Sequence, residues 1–187
     1  LYEPNEKLLK LFNNLSVAYL KKITEVNTIS LDSFIKKEKI ESVDFIKIDV
    51  QGAELDVFRG AEKSLKNVLT IVSEVEFLPI YNEQPLFGDI CSFLKNKNIM
   101  FHKFLDLSGR SLIPVVLKDN VNFPTQHMWS DAVFIKNILK IDELNNSQLL
   151  KQTIFSYLYG SPDLSYFCLI NYDKKNKTNL AELFKKI

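Results

Sequence analysis

The sequence predicts an α/β fold on an open parallel sheet. Three observations carry it. The apolar, β-branched run "VDFIKIDV" at 43–50 leads straight into "ELDVFRGAEKSL", where Leu55, Phe58, Ala61 and Leu65 share one helical face. A second run, "LTIVSEV" at 69–75, precedes "LFGDICSFLKNKN", helical through Ile90, Phe93 and Leu94. A third, "IMFHKFLDL" at 99–107, follows the Asn-rich break. Strand and helix alternating in this way build parallel sheets through right-handed crossovers.

The remaining elements follow from capping and periodicity. "PNEKLLKLFNNL" at 4–15 spaces Leu8, Leu9, Phe12 and Leu15 as a short amphipathic helix with a proline near its start. Residues 17–40 predict a strand or two, then a short helix capped by Ser30 or Asp32. The stretch 108–130, with two prolines and little periodicity, reads as a long loop, functional or an excursion, and "SDAVFIK" as a short strand after it. Beyond residue 137 the pattern is helical: Leu149, Leu150, Ile154 and Leu158 share a face that stops at Gly160. Pro162 opens a second helix, and "NLAELFKKI" forms a third. The expected organisation is an α/β region over 1–137 with a helical extension, 138–187, packed on the same domain.

At 187 residues and a net charge of +1, the chain is sized for one domain and carries no field that gathers nucleic acid or anionic lipid. Cys91 and Cys168 lie outside metal-ligand spacing, and a reducing cytoplasm is the natural compartment. No apolar run approaches the roughly 18 residues of a membrane span, and the first residues lack the order of a signal peptide. Leu1 is not a methionine, which leaves room for a longer protein upstream.

In open α/β sheets chemistry sits beyond the carboxyl ends of the strands. Asp49, Gln51, Gly52 and Glu54 all fall there. Gly52 permits the turn, the amides at the helix start offer donors, and the two acids offer acceptors to one crevice. The plain alternative is a strand end with an acidic helix cap.

"SLDSFI", "VDFIKIDVQGAELDVFRGAEKSL" and "IVSEVEF", in that order and spacing, closely resemble the second half of the FkbM family of S-adenosylmethionine-dependent methyltransferases. The continuation "LPIYNEQPLFGDICSFL", the "LSGR", the "MWSDAVFIK" and the tail with "YGSPDLSY" resemble a subgroup of it, over residues 1–173. The resemblance implies the C-terminal part of a Rossmann-like class I methyltransferase sheet with a helical C-terminal extension. It also implies methyl transfer from S-adenosylmethionine to a hydroxyl of a sugar or secondary metabolite, in a bacterium. Asp49 is then near the reacting centre, with Asp49, Gln51 and Gly52 on the cofactor rim and Glu54 and Glu74 as acceptors or supports.

The family's glycine-rich cofactor turn has no counterpart here. The five glycines, at 52, 60, 88, 109 and 160, form no Gly-x-Gly pair. Strands one to three and the ribose-binding acid are therefore expected upstream of residue 1, leaving the 43–50 strand with an open edge through which copies could pair. Glu3, in "EPN", is the competing ribose acid; only 28 residues separate it from Asp32, against a longer excursion in the family. Gln51 stands where many relatives have Glu, and an amide is no general base. His102 and His127 are candidate bases by chemistry, or ordinary strand and loop histidines. Trp129 and Met128 read as core or lid contacts, Lys47 as snorkelling or paired with an acid, and Lys174–Lys177 as a solvated turn. The expected partner is a small hydroxylated acceptor. A non-catalytic, methyltransferase-derived interaction module without cofactor binding is the alternative.

Overall fold

The computed structural model describes residues 1–186. In chain order it contains α1 (Glu6–Leu9), α2 (Leu31–Lys37), β1 (Phe45–Ile48), α3 (Glu54–Arg59), β2 (Thr70–Glu76), α4 (Phe87–Lys95), β3 (Ile99–Phe104) and β4 (Ser108–Arg110). There follow β5 (Gln126–Lys136), α5 (Asn146–Leu158), α6 (Pro162–Asn176) and α7 (Leu180–Phe184). Among the described residues no helix is long and apolar enough to cross a membrane.

The sheet is mixed, which corrects the expected all-parallel arrangement. β1 and β2 pair in parallel, but the order is β1-β2-β5-β3, and β5 runs antiparallel to both its neighbours. The last strand thus lies between two earlier ones instead of extending the edge. It is also longer than expected. Seven residue pairs join it to β2, from Thr70↔Ile135 to Glu76↔Trp129, and β4 pairs with its first half inside the stretch expected to be loop. Beyond β1 no further strand joins this sheet among the described residues.

Period-two alternation along β2 divides the core. Ile71 and Val75 face Leu55 and Phe58 of α3 and Ile90 and Leu94 of α4, with Ala132 and Phe134 of β5 alongside. Val72 faces the other way, with Val133 and Ile135, and meets Leu149 of α5 and Leu164 and Cys168 of α6. A third cluster joins Leu9, Phe12 and Leu15 of the N-terminal segment to Ile80 and Met128. The N-terminal segment therefore docks beyond the carboxyl end of β2, beside the start of β5.

Local signals account for several ends. Ser30, not Asp32, caps α2 by accepting from the Ser33 amide, while the Asp32 carboxylate accepts from the amides of Lys63 and Ser64. Asn145 and Gln148 form a reciprocal capping box at α5, which ends before Gly160 at φ +66°. Pro162 opens α6 as expected. Three expectations fail. α1 is only four residues long, and residues 19–30 form no strand although Ile23 and Val26 favour one, because no neighbour offers a ladder. Lys174 and Lys175 belong to the last turn of α6, where Lys175 Nζ donates to the carbonyls of Asp142 and Leu144.

Candidate active site

Beyond β1 the chain reverses in two left-handed residues, Gln51 at φ +56° and Gly52 at φ +92°. Gly52 is required twice over: its φ suits glycine, and a Cβ there would lie 2.9 Å from Cδ2 of Tyr81. The turn swings Gln51 back over the sheet. Its Nε2 donates to Asp49 Oδ1 at 2.8 Å and to Glu74 Oε2 at 2.7 Å, while its Oε1 accepts from the Tyr81 hydroxyl at 2.8 Å. One amide thus bridges two acids and a phenol.

Asp49, Glu54 and Glu74 bring carboxylate oxygens within 4.8 Å of one another. This is a donor set that a cation would fit, and the Gln51 amide already presents the positive end of a dipole between two of its members. Glu54 is buried, and its Oε1 accepts from the Val50 amide at 2.8 Å. The Val50 amide, before the turn, is thus turned toward the chain's own acid. Glu54 Oε2 has no partner among the described residues, and neither does Glu76 Oε2.

Burial and mutual repulsion raise the acids. Glu76, 2% exposed, is pushed up to about 8 by desolvation and then by the charges of Glu54 and Glu74. Glu74 is also pushed up to about 8, chiefly by desolvation, then by Asp49. Desolvation lifts Glu54 as well, and the amides of Val50, Glu54 and Gly52 pull it partway back. Tyr81 is driven to about 12 by burial beside these carboxylates. At neutral pH the cluster therefore holds protons on buried glutamates and works as both donor and acceptor.

The cluster opens into a cavity of about 240 Å³. Gln51, Glu74, Glu76 and Tyr81 supply polar lining, Leu9, Leu15 and Ile80 apolar lining, and Arg110 and Trp129 complete it. A larger hollow of about 470 Å³, lined by Asp32, Glu41, Lys63 and Asn67 among others, lies at the opposite end of β1 and touches none of these residues.

The structure brings Asp49, Gln51, Gly52, Glu54 and Glu74 together. It does not bring in the histidines: His102 shares a hydrogen bond of 2.7 Å with Ser161 at the helical extension, and His127 is exposed on β5. Neither lines the cavity. Glu3 is exposed, and its backbone carbonyl accepts from the Asn82 amide. Lys47 pairs with Asp131 at 2.9 Å across β2. Met128 is core, whereas Trp129 is half-buried at the cavity. Sequence reasoning missed Glu76, Tyr81 and Arg110. Glu76 was recoverable, since two residues on from Glu74 it must share that face.

Residues 8–99 match the family model described as the methyltransferase FkbM domain. That span of the chain belongs to the FkbM methyltransferase family and contains every acid of the cluster. No curated protein and no solved structure matched the chain.

Proposed function

We propose that these residues form the acceptor side of an S-adenosylmethionine-dependent O-methyltransferase crevice. The observation that carries this reading is the convergence of Glu74, Glu76 and Gln51 on one cavity at the carboxyl end of β2, with Asp49 tied to Glu74 through the Gln51 amide, inside the FkbM match. A hydroxyl seated beside Glu74 and Glu76 can donate its proton to one of them in its ionised form, which gains population as pH rises toward about 8, as the hydroxyl oxygen attacks the sulfonium methyl. The methyl leaves as the sulfur takes back its bonding pair, and orientation supplies much of the acceleration. Asp49, at the rim, is the group nearest the entering cofactor. Gln51 and Gly52 shape that rim, and Glu54 holds the turn by accepting from the Val50 amide.

A cofactor turn needs backbone without Cβ atoms at close approach, and these residues provide only Gly52 at the rim. The cofactor half of the crevice is supplied by polypeptide outside these 187 residues, along the open edge of β1. Extending the chain upstream in its own reading frame, through a glycine-rich turn, tests this. Label should pass from methyl-labelled S-adenosylmethionine to a hydroxylated small molecule and be lost on Asp49→Ala. An extended chain that binds S-adenosylhomocysteine yet labels no acceptor in a broad panel of sugars and phenols would overturn it.

A further inference from the structure

The cavity is lined by two chemically different sets of polar groups. Glu74, Glu76, Gln51 and Tyr81 make one, and Arg110 makes the other. Arg110 is one of only two arginines in the chain, and the other, Arg59, is paired with Asp56 at 2.8 Å on the surface. Arg110 enters no ion pair among the described residues. One of its terminal nitrogens donates to the neighbouring Gly109 carbonyl at 2.7 Å, and its buried Nε has no acceptor. The guanidinium carbon lies 4.9 Å from the ring centre of Trp129, within cation–π range. A half-buried guanidinium over an aromatic ring, with its Nε donor unused, suits a planar or tetrahedral anion.

We infer that the acceptor is a hydroxy acid of about one ring, with its carboxylate on Arg110 and the hydroxyl to be methylated at the Gln51, Glu74 and Glu76 end. The inference rests on the methyltransferase reading for the fate of the hydroxyl, but not for the binding mode. Size supports a single ring, because cavities for drug-sized ligands run from about 300 Å³ upward. The apolar wall of Leu9, Leu15 and Ile80 fits the carbon face of a sugar ring or an aromatic ring. A neutral sugar would leave the Arg110 donor buried and unpaired, and this sets the discrimination.

The test is calorimetric titration of the protein with glucuronate and with glucose at pH 7. Glucuronate is expected to bind saturably and at least about tenfold more tightly than glucose, about 1.4 kcal/mol. Arg110→Gln should erase the difference, while Arg110→Lys, its folding checked by circular dichroism, should keep part of it. Equal binding of the two sugars, saturable binding of neither, or unchanged glucuronate affinity in Arg110→Gln overturns the inference. The two readings separate cleanly. Methyl transfer to neutral acceptors that ignores Arg110 would remove the acid and keep the methyltransferase, whereas Arg110-dependent glucuronate binding without methyl transfer would do the reverse.

Discussion

The two ends of β2 carry polar side chains on the same face and treat them in opposite ways. At the start, Thr70 is buried against α5, where Gln152 Nε2 donates to Thr70 Oγ1 and to Ser156 Oγ, both at 3.1 Å. At the finish, Glu76 is as deeply buried, with an oxygen that has no partner among the described residues, and Glu54 beside it has another. Native interiors pair their buried polar atoms, so the satisfied end reads as scaffold and the end with unpaired acids as the place for chemistry. One strand thus separates what holds the fold from what does the chemistry.

The contrast is most exposed to Gln152→Ala. This removes the network at the satisfied end, strands two buried hydroxyls and leaves a cavity, and it should cost about 3 kcal/mol in chemical denaturation. A loss below about 1 kcal/mol would erase the difference between the ends. Next comes pH. Glu74 and Glu76 bind their protons more tightly folded than unfolded, so the folded state holds more protons between the usual carboxyl range and about 8, and stability falls as pH rises through that window. His102, whose pKa burial lowers, acts in the opposite sense below its ordinary value of 6.5, so the clean interval is pH 6.5 to 8. There the denaturation free energy should drop on the order of 2 kcal/mol, and Glu76→Gln should flatten the slope. A stability that rises across this interval contradicts the unsatisfied acids.

Gly52→Ala should cost about 1–2 kcal/mol through its positive φ, and should also push Tyr81 off Gln51. Loss of stability without any change in ligand binding would show the turn to be scaffold only. The smallest effect is expected for Lys47→Ala. Its ion pair with Asp131 is half-exposed at both ends, and its removal should change stability by less than about 1 kcal/mol.

Those residues also show how far the sequence was legible. β1, β2 and β3 and the helices between them could be read because each is a local pattern, apolar runs of period two followed by faces of period 3.6. The place of β5 could not, because an antiparallel strand inserted between two earlier ones is a long-range choice that no window records. Its first half, "QHMWS", hides behind polar residues and pairs with β4, whose three residues carry no periodicity. Residues 19–30 mislead in the other direction: Ile23 and Val26 have strand propensity and 72% exposure each, since propensity without a partner builds nothing. At the site, the strand-end positions placed Asp49, Gly52 and Glu54 in advance, and the family likeness added Glu74. Tyr81 and Arg110 arrive from loops and a short strand that only folding brings near.

The position of β5 also bears on how the molecule is made. β2 and β3 do not touch within the sheet; the strip between them is filled by residues 126–136. As the chain leaves the ribosome, the earlier strands must wait with facing edges and apolar faces uncovered until about three quarters of these residues have been synthesised. A nascent chain stalled before Gln126 would therefore be a ready client for chaperones. The cavity, walled on one side by Trp129, comes into existence only when that gap closes.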